Sequence, residues 1–129
     1  MEKVNLAEKF SAFSDHYNPR IAGELNGQLV KLVKFKGEFT WHHHETEDEL
    51  FLVVKGRFRM EYREPGEPPE ADCDQAVWLE EGEMITVPCG TEHRPVAEEE
   101  CHVLLFEPAS TLNTGNIEDE FTVRNLATI

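Results

Sequence analysis

At 129 residues, with a formal net charge of −14 and Val, Leu, Ile and Phe recurring in strand-length runs, the chain is sized for one folded domain and does not have the composition of a disordered one. So negative a charge, with no Lys/Arg cluster, speaks against nucleic acid and anionic membrane surfaces as partners. The start MEKVNLAEKF is not a secretory leader, no apolar run approaches the roughly 20 residues that cross a bilayer, and Cys73, Cys89 and Cys101 form neither a disulfide framework nor a CxxC pair; a cytoplasmic location is expected.

Residues 5–14, NLAEKFSAFS, predict a short helix. Asn5 caps the first turn with Glu8 three residues on, and Leu6, Phe10 and Phe13 share one face at helical spacing. That apolar face needs a cover, either the outside of a sheet or a second subunit. Asn18 to Gly27 carries proline and glycine at turn frequency and reads as a linker, so residues 1–27 are expected to pack on a domain that begins at residue 28. His16 is expected at the surface.

QLVKLVKFK, 28–36, reads as a strand ending near a turn glycine at 37, and Leu50 to Val54 as a strand buried on both sides. GRFRMEYRE alternates, with Phe58, Met60 and Tyr62 on one face and Arg57, Arg59, Glu61 and Arg63 on the other. PGEPPEADCD, 65–74, is a loop. QAVWLEEGEMITVP gives two short strands around Gly82, and CHVLLFEP, 101–108, closes the sheet with His102 as a packing or surface residue. The tail, 109–129, is expected to add a strand or an arm, across a dimer. Eight to ten short strands with little helix argue an all-β sandwich or barrel.

The most informative stretch is GEFTWHHHETEDELFLVVKG, Gly37 to Gly56. In extended backbone alternate side chains share a face, so His42 and His44 converge while His43 points away. A hairpin would bring Glu49 beside the pair, which makes half a metal site. Glu45, Glu47 and Asp48 read as solvated turn residues, the alternative being that one of them replaces Glu49. GEMITVPCGTEH, Gly82 to His93, is a second stretch that could supply the remaining ligand. Cys89, between Pro88 and Gly90, reads as a turn thiol near the pocket mouth.

These two stretches resemble the paired motifs of the cupin family. His42 and His44 form the HxH, Glu49 follows after four residues and Gly56 after six more; Gly82, Pro88, Gly90 and His93 fall at the spacing of the second motif. The chain departs at two places: Gly37 precedes His42 by four residues instead of five, and Ala97 stands where the family often has asparagine. The resemblance covers residues 28–108 and implies a single double-stranded β-helix, or jelly-roll, barrel with a short N-terminal helix outside it and the site within. It implies His42, His44, Glu49 and His93 as ligands of one divalent transition metal: iron, manganese, nickel, zinc or copper all suit three imidazoles and a carboxylate.

Inward residues, Phe51, Val53, Phe58, Met60 and Tyr62, would make the rest of the pocket apolar, and a small organic molecule is its natural occupant. The function expected is a metal-dependent cupin acting on a small oxygenated molecule, of isomerase, dioxygenase or decarboxylase type. The alternatives are a non-catalytic metal- or ligand-binding module, and a metal-free barrel whose motif is structural. No further catalytic group is evident, though Tyr62, Cys89 and Glu92 are within reach of the pocket by sequence. A sugar-phosphate substrate would need Arg57, Arg59 or Arg94 inside, and the alternation places the first two outside. A homodimer is expected, with the amphipathic start and the alternating tail covering each other's sheets.

Overall fold

The computed structural model describes residues 1–64 and 75–129; residues 65–74, expected to be a loop and including Cys73, lie outside them. Among the described residues one short helix, α1 (Leu6–Ser11), precedes seven strands: β1 (Arg20–Leu25), β2 (Gln28–Glu38), β3 (Glu49–Lys55), β4 (Phe58–Tyr62), β5 (Gln75–Leu79), β6 (Met84–Val87) and β7 (His93–Pro108). All strand pairs are antiparallel, in the order β1-β2-β7-β3-β6, with β4 joining β7 to β5. The long β7 organises the rest. Its first residues, His93 to Val96, pair with β4 and the end of β2, and from Cys101 or His102 onward it lies between β2 and β3.

Alternation decides the core. Val33 and Phe35 of β2, Phe51 and Val53 of β3, Phe58 and Met60 of β4, and Cys101, Val103 and Leu105 of β7 point to one interior, each removed from water. Full burial of such a side chain contributes about 1.5–3 kcal/mol, so this inner face carries most of the driving force. Tyr17, Phe39 and Phe121 close the interior as an aromatic group, with ring centroids 4.8 Å (Tyr17 to Phe39) and 5.1 Å (Phe39 to Phe121) apart. Tyr17 holds φ at +54°, unusual for a bulky residue, and is fixed there by its rings' packing and by its hydroxyl donating to the Gly37 carbonyl.

The outer face of β2 and β7 meets the helix. Phe10, Phe13 and Leu32 are buried together with Leu6, Val54 and Leu104 against them. Asn5 accepts from the Glu8 backbone N–H at 3.0 Å, the cap expected. The helical stripe is thus covered by its own sheet. His102 stacks on Phe10 at 4.6 Å, a packing role, and His16 meets Glu100 at the surface.

Two readings are corrected. The segment taken as a linker contains β1, which forms a hairpin with β2 through Asn26 and Gly27. Both turn residues have positive φ, +51° and +80°, as a two-residue hairpin with the right twist demands, and Asn-Gly is its usual sequence. The tail forms no strand of its own. It folds back on the same chain, with the Ile129 N–H donating to the Ile21 carbonyl and Phe121 packed on Tyr17. Among the described residues no helix is long and apolar enough to cross a membrane.

Candidate metal centre

His42, His43 and His44 lie in the connection between β2 and β3, and the alternation expected of extended backbone is kept. His42 and His44 are buried, whereas His43 turns outward between Glu45 (2.8 Å) and Glu92 (2.9 Å), whose hydrogen bonds raise its pKa. The hairpin expected between the histidines and β3 does not form. His42 instead bridges His93 at the start of β7, exchanging backbone bonds of 3.1 and 2.9 Å, and Glu49 starts β3 opposite Val87. Ladder register thus delivers all four side chains to one place. The C-terminal tail locks the histidine segment from outside, since His43 N–H donates to Asn116 Oδ1 and Asn116 N–H to the His43 carbonyl. Gly115 is required there: a Cβ on it would stand 2.1 Å from the His43 carbonyl oxygen.

The ligand atoms of His42, His44, Glu49 and His93 all lie within 4.8 Å of one another, and all four residues are buried. His42 Nδ1 is 2.9 Å from the Thr40 carbonyl and His93 Nδ1 is 2.7 Å from that of Thr91. A carbonyl only accepts, so both rings donate from Nδ1 and, when neutral, turn a bare Nε2 lone pair to the centre. Burial, then the neighbouring His93, lowers the His42 pKa to about 3, which keeps that imidazole neutral. Burial alone would raise Glu49; its contacts with His44, His93 and Glu107 outweigh burial and hold its carboxyl well below the usual range.

Glu49 Oε1 stands 2.8 Å from His44 Nε2 and 3.1 Å from His93 Nε2. His44 Nε2 nevertheless has no aligned hydrogen-bond partner, and a neutral His93 has no proton on the nitrogen that faces Glu49. Lone pairs crowded together in a dry interior are unfavourable unless a cation lies among them. Donors held ~2.1 Å from one metal ion stand roughly 3.0–3.5 Å apart, close to the 2.8 and 3.1 Å between Glu49 and its two imidazoles, with the whole set inside 4.8 Å. The donor set therefore fits a transition-metal ion, with no geometric preference for one element over another.

Beside the cluster is a cavity of about 30 Å³, lined by His42 and Glu49, by Tyr17, Phe35, Phe39 and Phe51 among the rings, and by Glu107. Of the five inward residues expected, Phe51 alone lines it; Val53, Phe58 and Met60 are buried in the core, and Tyr62 borders a separate outer groove with its hydroxyl on Gln75. Cys89 is exposed and Glu92 serves His43. Glu45 is exposed, Glu47 accepts from Ser110, and Asp48 accepts from the Cys89 backbone; none of them replaces Glu49. Arg57, Arg59 and Arg94 pair with Glu80, Glu61 and Glu38 away from the cavity.

The inward polar group is one the sequence reading missed. Glu107 is 1% exposed and its Oε1 accepts from Lys31 Nζ at 2.7 Å; the Lys31 ammonium also donates to the Thr111 carbonyl. Burial and the nearby Glu49 charge raise the Glu107 carboxyl well above the usual range, against the pull of Lys31. The available signal was phase: Lys31 shares the inward positions of β2 with Val33 and Phe35, and Glu107 those of β7 with Val103 and Leu105.

Residues 29–107 match the Cupin_2 family, described as a cupin domain. The chain belongs to that family. This cupin is similar to a cupin-2 domain protein of Shewanella frigidimarina, with 40% identity and a TM-score of 0.72 over 81% of this chain and 93% of that one. It is 37% identical over 71 residues to the uncharacterised Bacillus subtilis protein YdbB; that stretch covers 55% of each, so the match spans about half the length of the curated relative. Hydroquinone 1,2-dioxygenase from Sphingomonas sp. TTNP3, with 4-hydroxybenzoate bound, shares the fold at 17% identity and a TM-score of 0.67, over 83% of this chain and 74% of that one. The double-stranded barrel read from the motifs is the fold of these neighbours.

Proposed function

We propose that this cupin is a metal-dependent enzyme acting on a small oxygenated organic molecule, of isomerase, dioxygenase or decarboxylase type. His42, His44, Glu49 and His93 would hold one divalent transition-metal ion, which supplies Lewis acidity, or redox chemistry if it is iron, manganese or copper. The observation that carries the reading is the buried Glu107 on the wall shared with His42 and Glu49: a cavity closed over four ligands and lined with apolar side chains alone would suit storage.

The chain's own residues do the rest. Thr40 and Thr91 carbonyls fix the rings of His42 and His93, the aromatic wall excludes water, and Glu107 is the one carboxyl placed to hold or give up a proton beside the ligand cluster. The arginines face outward and the buried Lys31 ammonium is taken by Glu107 and the Thr111 carbonyl, so among the described residues no cation lines the cavity to receive a phosphate, and the substrate class is unphosphorylated.

The test is conversion of a panel of small oxygenated compounds by metal-loaded protein, followed by NMR. Conversion that disappears in the His93→Ala variant exposed to the same metal supports the enzyme; binding without conversion by protein with a full metal complement supports the alternative, a non-catalytic binding or sensing module.

A further inference from the structure

Glu107 is held on one side and free on the other. Its Oε1 is taken by Lys31 Nζ at 2.7 Å, while Oε2, buried in the wall of the cavity, receives no donor from the described residues; the neighbouring Glu49 carboxylate can only accept. The other polar groups that line this cavity outside the cluster are occupied: the Tyr17 hydroxyl donates to the Gly37 carbonyl, and the Asn113 amide donates to the Phe121 carbonyl and accepts from the Val123 N–H. Buried polar atoms are normally paired, and one left open in a cavity wall is where a ligand's polar group belongs. Glu107 follows the Leu50↔Phe106 rung at the end of the β3–β7 ladder, which sets it next to Glu49 of the cluster.

We infer that Glu107 is a substrate-binding residue whose Oε2 exchanges a hydrogen bond with a hydroxyl on the atom adjacent to the ligand oxygen that faces the His–Glu cluster. The ligand class is a small, neutral, vicinally oxygenated compound, a diol or hydroxy ketone. A hydroxyl suits the site whichever way the proton lies, because it donates to a carboxylate and accepts from a carboxylic acid. Neutrality follows from the two carboxyl side chains already on the wall, Glu49 and Glu107, with the arginines paired outside. Adjacency follows from the placement of Glu107 beside a cluster carboxylate, and the small size from the cavity of about 30 Å³. Lys31 is the positioning residue that turns Oε2 to the cavity.

This inference rests on the metal reading, and the experiment separates the two. Zinc-loaded protein, chosen because zinc is diamagnetic, is titrated with ethylene glycol and with the smaller ethanol by saturation-transfer NMR. Zinc content is measured in every sample. In the wild type, ethylene glycol is expected to bind roughly ten-fold more tightly than ethanol, one additional buried hydrogen bond. Steric exclusion cannot produce that order, since ethanol is the smaller probe.

Lys31→Met/Glu107→Leu, which removes both charges, is expected to abolish the preference with zinc retained. Glu107→Gln keeps the volume if the double variant does not fold, and is expected to reduce the preference about three-fold. Full zinc with an unchanged preference in the variants overturns the role of Glu107 and leaves the metal site standing, as does a zinc-loaded wild type that does not bind ethylene glycol. Failure of the wild type to take up zinc or any other transition metal overturns the metal reading, and this inference with it.

Discussion

β2 and β7 have two faces, and the two bury different chemistry. The outer face, under α1, is mostly apolar: Phe10, Phe13, Leu32 and Leu104 exclude water, and the Lys34 ammonium buried among them donates to the Phe13 carbonyl. The inner face carries as much apolar surface and also Lys31, His93 and Glu107, each no more than 1% exposed. Burying such groups costs free energy unless each finds a partner; Lys34 on the outer face has one, whereas Glu107 Oε2 on the inner face does not, so the inner face gives up more stability. The difference teaches where function lies in this barrel, on the side where polar groups are retained in a dry interior, with nitrogen and oxygen atoms left unpaired.

The two faces should therefore respond differently to substitution. His93→Ala is expected to have the largest effect on the inner side, complete loss of stoichiometric metal in elemental analysis, while His102→Ala on the outer side leaves metal content unchanged. Glu107→Leu alone strands the Lys31 ammonium in the interior and should cost about 3–5 kcal/mol in chemical denaturation, whereas Lys31→Met/Glu107→Leu should recover most of that loss. Phe10→Ala should cost a similar ~3–5 kcal/mol through its cavity and leave metal content intact; a loss of metal there would break the separation of the two faces.

Acid should distinguish the faces as well. Burial, with the nearby His93, holds His42 unprotonated in the fold down to a pKa of about 3, against 6.5 in the unfolded chain. As pH falls below 6.5 the unfolded state takes up a proton that the folded state refuses, so metal-free protein loses roughly 1.4 kcal/mol per pH unit between 6.5 and 3 from this group. Denaturation midpoints across that range measure it, and the His42→Ala variant should have a shallower slope. The smallest effect belongs to His43. Its pKa is raised by Glu45 and Glu92, so its contribution is present below the unfolded value and lost as pH rises through the folded one; His43→Ala should cost no more than about 1 kcal/mol, in acid only.

Much of this was legible in the chain. The two motifs brought together the four residues of the buried cluster because their spacing encodes ladder register, and the alternation of His42, His43 and His44 followed from extended backbone alone. The helix cap at Asn5 and its apolar stripe were readable for the same local reason. What failed was non-local. β1 was missed because proline and glycine composition outweighed the Asn26–Gly27 hairpin signal, and the tail was given an arm's role because alternation says that a face is covered without saying by what. Both segments that motivated the homodimer expectation find their cover within one chain. Glu107 and Lys31 were hidden by runs such as QLVKLVKFK, in which apolar residues fall on both phases and the inward one is fixed only once β2 and β7 are paired.

The most direct measurement is elemental analysis of untagged protein, purified without chelator, beside its His42→Ala variant. The account predicts one transition-metal ion per chain in the wild type and none in the variant. A wild type that carries no metal and cannot be loaded with one would contradict it.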